Sequence, residues 1–384
     1  MKNRFKAVKK DLIFTCTVAL VTIALFLLPT GFRSSAYEGT VRVKAMVIET
    51  DDSMVRQFGI VKQGVQNIKA RVLSGKFKGE ICEASNNIVG KMEVDKVFAP
   101  GDKILMGLTL DENGSAVISS VAFDYYRINT AIILFVVFAG TLLFFAGFTG
   151  LKSLLSFLLS VAVFWKVFIP SILHGFLGAL PIALLTTFFL TGCIMFLVGG
   201  LNKRGLVSFL GACAGIFLTF LLAVLFGAFF RVNGAVKPFT EILLYSGFPH
   251  LNITLIFLAS IVISSSGAIM DVAMDIASAL QEIREKAPGI SLKELISSGF
   301  NVGRAVIGTM TTTLLLAYSG SYISLLMYFM AQGIPLENIL NLSYVSAEIL
   351  ATLSGSIGIV AVAPFTAVIG GIIFKSGLGR SLRP

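Results

Sequence analysis

Histidine is nearly missing from this chain: 384 residues contain two, His174 and His250, beside four cysteines and one tryptophan. With no Cys-x-x-Cys pair and no His-rich tract, a structural zinc site is not expected. Cys16, Cys193 and Cys213 lie in apolar runs, which leaves Cys82 as the only thiol in a polar segment and excludes a disulfide framework. Charged residues make up 14% of the chain, against about 25% in soluble domains. That scarcity excludes a cytosolic enzyme, a secreted disulfide scaffold and a disordered chain. A Walker loop, His-Glu-x-x-His and Gly-x-Ser-x-Gly are also lacking, and no histidine stands in an apolar run where it could serve as a base. Neither an enzyme nor a bound cofactor is expected.

What the chain has in abundance is apolar length. Hydrophobic residues reach 55%, with 33 Phe and a mean hydropathy of +0.87. Eight stretches approach or exceed the roughly 20 residues that cross a bilayer as a helix: 12–29, 128–148, 151–170, 179–200, 206–230, 253–275, 305–330 and 355–374. The pattern predicts a polytopic α-helical membrane protein. The net charge of +10 would suggest nucleic acid in a soluble protein, but its distribution follows topology. With the amino terminus inside, fifteen basic residues fall in inner segments, from Lys2 through Lys152, Lys203 and Arg204 to Arg383, whereas the short outer loops hold only Arg231 and Lys237. The positive-inside rule then predicts a plasma-membrane protein with both termini cytoplasmic. Nucleic acid drops out as a partner and the lipid bilayer takes its place.

Four regions follow: 1–30, a cytoplasmic start and first anchor; 31–127, an extracytoplasmic domain; 128–375, seven membrane helices; and 376–384, a cytoplasmic tail. The first apolar run resembles a signal sequence, but its length of about 18 residues exceeds the 7–15 of a secretory core, so an uncleaved anchor is favoured over cutting after Ser34-Ser35-Ala36. Residues 31–127 carry 13 basic and 12 acidic side chains and no long apolar run. Alternating stretches at 41–48 and 67–73, short apolar runs at 103–110 and 116–123, and turns at Ser74-Gly75, Pro100-Gly101-Asp102 and Glu112-Asn113-Gly114 predict about six strands in a small all-β barrel, OB-like among the candidates. Residues 335–353 read as a helix along the outer interface ahead of the last span. The small-residue spacings Gly211-x-x-x-Gly215, Ser264-x-x-x-Ala268 and Gly355-Ser356-Ile357-Gly358 read as helix-packing surfaces.

The richest segment runs from 253 to 284. Ser260, Ser264, Gly267, Asp271, Asp275, Ser278 and Glu282 recur at steps of three or four and share one helical face. A polar stripe about 33 Å long has to face protein or water, because lipid leaves its groups unsatisfied. Asp271 and Asp275, one turn apart, suit a shared cation or proton; the competing reading makes them the solvated inner end of the helix. Arg304 is their expected ion-pair partner, structural or gating. Thr309 and Thr311–Thr313, with Tyr318 and Ser319, enrich the next span in hydroxyls, and Thr312 and Tyr318 join the candidate path with Ser264, Asp271, Asp275, Arg304 and Glu348. Lys166 is expected to snorkel to the headgroups. Within the loop 281–301, Ser291 and Glu294 mark a capping box for a short amphipathic helix, 291–298, which could dock a cytoplasmic partner or lie on the membrane.

The strings GAIMDVAMDIAS (267–278), NVGRAVIGTMTTTLLLAYSG (301–320) and EILATLSGSIGIVAVAPFTA (348–367) resemble those of the YibE/F-like bacterial membrane proteins. VLSGKFKGE (72–80), the Pro-Gly-Asp turn at 100–102 and DYYR (124–127) are similar to the same family's larger members. The resemblance implies a multi-pass membrane protein read as a permease from its topology, and a shorter homologous partner or a homo-oligomer. It carries over Asp271, Arg304 and Glu348. Asp275 stands where that pattern has serine, Ala305 where it has an acid and Ala351 where it has a basic residue, so the acid beside Arg304 is expected to come from 275.

Two functions fit the sequence. One is a permease for a small ion or solute, in which Asp271→Asn abolishes activity. The other is a non-transporting scaffold or sensor whose β-domain binds an envelope partner, in which loss of residues 40–124 abolishes function and Asp271→Asn is mild.

Overall fold

A computed structural model describes residues 2–32, 40–111 and 113–375. The Ser34–Ala36 motif, Arg380, Arg383 and the tail 376–384 lie outside the described residues. The chain forms two compact units, residues 32–141 on one hand and 1–31 with 142–384 on the other.

The smaller unit is a closed five-stranded β-barrel followed by the start of a membrane helix. Its strands are β1 (Thr40–Phe58), β2 (Val61–Val72), β3 (Ile81–Val89), β4 (Lys103–Leu110) and β5 (Val117–Tyr125), in the order β1-β2-β3-β5-β4. β1 closes the barrel on β4, and β3 lies parallel to β5. Alternate residues fill the interior: Val43, Ala45 and Val47 on β1, Ile68, Ala70 and Val72 on β2, and Ile104, Met106 and Leu108 on β4. Five strands replace the expected six because β1 is one 19-residue strand bent at two bulges, after Val47 and after Asp51. Gly64 makes the second bulge tolerable, since a Cβ there would come within 2.1 Å of the Met54 carbonyl oxygen. Gly75, Gly101 and Gly114 all adopt positive φ, as their turns require. A buried amide pair ties the crossing loop to the barrel: Gln66 donates to the Phe98 carbonyl at 2.9 Å and accepts from the Phe98 N–H at 2.9 Å and from Asn86 Nδ2 at 3.1 Å.

The helices are α1 (Lys2–Leu27), α2 (Ile128–Val163), α3 (Ile169–Leu173), α4 (Ala179–Gly199), α5 (Lys203–Phe230), α6 (Thr240–Tyr245), α7 (Ile253–Lys286), α8 (Leu292–Met310), α9 (Thr313–Ala331), α10 (Leu336–Asn341) and α11 (Ser343–Lys375). Among the described residues, six helices are long and apolar enough to cross a membrane, or seven if the bent pair Leu292–Gly320 and Tyr322–Ala331 is one span. The eight expected stretches condense because 128–173 is a single helical run of 46 residues. It breaks at Gly147, whose φ of 51° and ψ of −126° are not helical. A π-helical turn at Phe164–Phe168 precedes Pro170, which has no N–H to continue the regular ladder.

Two boundaries differ from the sequence reading. The amphipathic helix expected at 291–298 runs on to Met310 behind its capping box, and the chain breaks at Thr311–Thr312 inside the stretch expected to be one span. The helix expected along the interface at 335–353 is instead the six-residue α10 followed by the start of the 33-residue α11. The apolar pattern misled there because 343–353 continues the helical face of the last span without a break.

The core of the larger unit is built on small residues. A Cβ at Gly211 on α5 would come within 2.1 Å of Thr366 Oγ1 on α11, and one at Gly358 on α11 within 1.9 Å of Thr219 Oγ1 on α5. A Cβ at Gly299 or Gly303 on α8 would come within 2.8 or 2.9 Å of the Cβ of Ala367 or Ala363. These contacts are the close backbone approaches that small-residue spacing makes available.

Contacts sort the helix ends into two groups. At one end Asp11 Oδ2 meets Lys152 Nζ at 2.5 Å, Lys203 donates to the Ile373 carbonyl and Lys375 to that of Ile290. At the other, Lys166 donates to the Leu28 carbonyl, His250 Nε2 lies 3.2 Å from the Leu173 carbonyl, and Lys237 pairs with Glu348.

Candidate functional site

Helix α7 starts where Asn252 accepts from the Leu255 N–H, a side-chain cap, and runs for 34 residues. One face, including Ile261, Ile269, Val272 and Ile276, is buried in the core. Ser260, Ser264, Gly267, Asp271, Asp275 and Glu282 lie on the opposite face and are all exposed. The stripe read from the sequence is therefore one continuous outward-facing surface.

Ser264 is where that stripe meets another helix. Its Oγ lies 2.5 Å from the Tyr318 hydroxyl on α9. α9 extends away from the break at Thr311–Thr312 and, with α11, borders a cavity of about 260 Å³ whose wall includes Tyr318, Tyr322, Glu348, Ile349 and Thr352. Glu348 and Tyr318, chosen from the sequence, thus line one cavity.

The charged partner of Glu348 was missed by sequence reasoning. Lys237, in the segment between α5 and α6, places Nζ 2.6 Å from Glu348 Oε1 and 3.0 Å from the Tyr322 hydroxyl. The same ammonium lies 5.2 Å from the Tyr322 ring centre and 5.6 Å from that of Phe257, within cation–π range. Burial alone would lower the Lys237 pKa, but the hydrogen bonds to Glu348 and Tyr322 outweigh it and hold the ammonium above its ordinary value. Glu348 keeps 15% of its side chain exposed, and its second oxygen, Oε2, is buried without a partner. A carboxylate with one oxygen paired and the other orphaned can accept one further donor. Lys237 gave no signal beyond being one of two basic residues in the outer loops.

The remaining sequence candidates do not join this cluster. Among the described residues Asp271 and Asp275 form no ion pair, and Arg304, exposed on α8, donates to Asn301 Oδ1 at 3.4 Å. The expected pairing of Arg304 with the acid at 275 is therefore absent. α8 turns its small face, Gly299 and Gly303, into the core, which sends Arg304, one residue on, outward. Thr312 is the residue that precedes α9 at the break, while Thr309 and Thr311 return their hydroxyls to the Val306 and Ile307 carbonyls of their own helix.

Residues 134–376 match the model of the YibE/F-like protein family, and residues 37–121 match that of the YibE/F family N-terminal domain. The chain belongs to the YibE/F-like family. The two matches divide it between the barrel and the helices, so YibE/F membership covers both parts, including Lys237, Tyr318, Tyr322 and Glu348. The chain matches no curated protein and no solved structure.

Proposed function

We propose that this chain is a permease that moves a small ion or solute across the plasma membrane, with both termini cytoplasmic and residues 31–127 outside. The observation that carries the reading is the cavity between α9 and α11: Glu348 and two tyrosines stand in its largely apolar wall, Glu348 is paired with Lys237, and Ser264 joins Tyr318 to the polar stripe of α7. An anchor needs no such polar investment in apolar helices. Taking the two arms of α2 on either side of Gly147 as separate crossings, and α8 with α9 as one broken crossing, gives eight. That number agrees with the two groups of helix ends and with the basic inner segments. Transport without a cofactor is the reading. A shorter homologous chain or a second copy would cover the exposed stripe through Asp271 and Asp275, and the segment 281–301 remains the candidate contact for a cytoplasmic partner.

The test is growth of a deletion strain across an array of ions, pH values and toxic solutes, complemented by wild type, Glu348→Gln or Asp271→Asn with membrane expression verified. A solute-specific defect rescued by wild type and not by Glu348→Gln is expected; full rescue by both variants overturns the site. One observation favours the alternative of an envelope-binding scaffold. The barrel is a unit of its own with an OB-like strand order, and failure of a 40–124 deletion beside full rescue by both point variants would select it.

A further inference from the structure

The hairpin joining β1 to β2 ends in a short arm. Beyond Met46, opposite Lys103, and the Val47 backbone bonds to Gly101 and Asp102, β1 pairs with β2 alone; β2 is itself backed by β3 as far as Gln63↔Val89, so the segment that protrudes from the sheet is Gln57 to Lys62. The arm closes at Phe58↔Val61 through a two-residue turn, Gly59-Ile60, with Gly59 at φ 60° and Ile60 at negative φ, the geometry of a type II′ hairpin. Such a tip is normally polar. Here Ile60 is 81% exposed, Phe58 and Met54 60% each, and Met92, three residues past the Val89 that pairs with Gln63, 70%. Elsewhere on the barrel Ile81 and Ile118 are also exposed, but singly, whereas these side chains gather about one hairpin.

Charge accompanies it. Between Asp52 and Glu80 the chain has no acidic residue and six basic ones, Arg56, Lys62, Lys69, Arg71, Lys76 and Lys78. Arg56 and Lys62 flank the tip, are exposed and form no ion pair among the described residues. Two of the nearby acids are engaged, Asp52 by Gln66 and Asp95 by the Val89 and Lys91 N–H groups.

The arm also leaves the barrel at a telling end. Tyr126, two residues before α2, donates its N–H to the carbonyl of Lys103, the residue opposite Met46 where β1 leaves β4 and runs on, in the same direction as β5, toward the tip. Tyr125, Tyr126 and Arg127 then lead into α2, whose first turn, Ile128-Asn129-Thr130, opens an apolar run, an aromatic and basic collar of the kind that marks the headgroup level. One compact unit therefore holds the membrane entry and the point where β1 leaves β4 at the same end of the barrel.

We propose that the β1–β2 arm is a lipid-docking element: Phe58 and Ile60 enter the headgroup–acyl boundary of the bilayer that carries the chain, and Arg56 and Lys62 pair with its anionic headgroups. Apolar tips flanked by cations bind anionic interfaces through this combination. Single docking fixes the barrel at the surface in a second place besides α2.

Tryptophan quenching by brominated lipid tests this on the full chain in nanodiscs. The native tryptophan is removed by Trp165→Phe, and a probe is introduced by Phe58→Trp or, at the far end of the barrel, by Lys78→Trp. In discs of phosphatidylglycerol with brominated acyl chains, emission from the probe at 58 is expected to fall at least twofold relative to unbrominated discs, while the probe at 78 is unchanged. Arg56→Glu with Lys62→Glu should remove most of that quenching in phosphatidylglycerol. Equal quenching at 58 and 78, with circular dichroism showing both variants folded, overturns the proposal, as it would if a protein partner rather than lipid covers the tip. Quenching at 58 that is indifferent to the charge reversal overturns the headgroup pairing.

Discussion

Removing the ammonium from the Lys237–Glu348 couple should cost more than removing the carboxylate, and removing both should cost less than the sum. Two charges about 4 Å apart attract by about 4 kcal/mol at an effective dielectric of 20. Desolvation opposes this, and Lys237, with 35% of its side chain exposed, is partly screened, so a net coupling of about 2 kcal/mol is expected. Lys237→Met leaves Glu348 buried with neither oxygen paired, a loss of about 3 kcal/mol at the low end for a broken buried pair. Glu348→Gln keeps an acceptor for the ammonium and should cost about 1 kcal/mol. The double variant should then stand about 2 kcal/mol below wild type, against the 4 that independent losses would give. The assay is unfolding in mixed micelles of rising sodium dodecyl sulfate content, followed by helical circular dichroism. Additivity within about 0.5 kcal/mol would refute the pairing. The raised Lys237 pKa sets a sign as well: its stabilisation is fully present below the ordinary lysine value of about 10.4 and is lost as pH climbs through the higher folded value. Lys237→Met should lack that alkaline limb.

Gly358→Val and Gly211→Val force a side chain onto Thr219 and Thr366 and should lower the same unfolding midpoint by an overpacking cost of about 1–3 kcal/mol, whereas Gly308→Ala, with open space around it, should be neutral or stabilising. Gln66→Leu in the barrel orphans Asn86 and the Phe98 backbone, for a loss of about 1–3 kcal/mol seen as faster limited proteolysis between 96 and 102. Asp111, whose carboxylate accepts from the Ala116 N–H, the Ser115 hydroxyl and the Ser115 N–H, has its pKa lowered by them. Its hold on the β4–β5 turn is present above the ordinary aspartate value of about 3.9 and lost as pH falls through the lower folded one. Hydrogen exchange at Ser115 and Ala116 should therefore accelerate at neutral pH in Asp111→Ala, and an unchanged rate would count against the clamp.

Legibility in the sequence followed the range of the interactions involved. Strand β4, Lys103–Leu110, coincides with the apolar run read at 103–110, and α4, Ala179–Gly199, with a stretch read as 179–200, because apolar length and flanking glycines are local signals. The Gly59-Ile60 hairpin escaped notice because its turn is embedded in apolar residues, Phe58 through Val61, and so carries no polar punctuation. The interruption at Thr311–Thr312 and the 69° bend between Gly320 and Tyr322 were equally hidden: nothing in the helical pattern distinguishes a span that bends from one that runs straight. At the site, Glu348 and Tyr318 stood out as polar groups in apolar helices, but Lys237 did not. It meets Glu348 across 111 positions of chain, and such a pairing is a property of packing that no spacing rule encodes.

The two polar surfaces of the helical unit place different demands on the membrane. The Lys237–Glu348–Tyr322 cluster is largely self-satisfied, with a single orphaned oxygen, and can sit beside an empty cavity at little cost. The α7 stripe is not: Asp271 and Asp275 are exposed carboxylates without an ion pair among the described residues, on a helix long enough to span. Hydrocarbon does not tolerate that surface, so water or a protein face has to cover it. Ser264 decides between a channel wall and an assembly face, because it is the stripe residue held by Tyr318 of α9. If α9 closes over the stripe, Ser264→Ala and Tyr318→Phe should alter transport together and leave the oligomeric state unchanged. If a second chain covers it, Asp271→Leu should disturb the sedimentation of the detergent-solubilised protein, and the Ser264–Tyr318 variants should not.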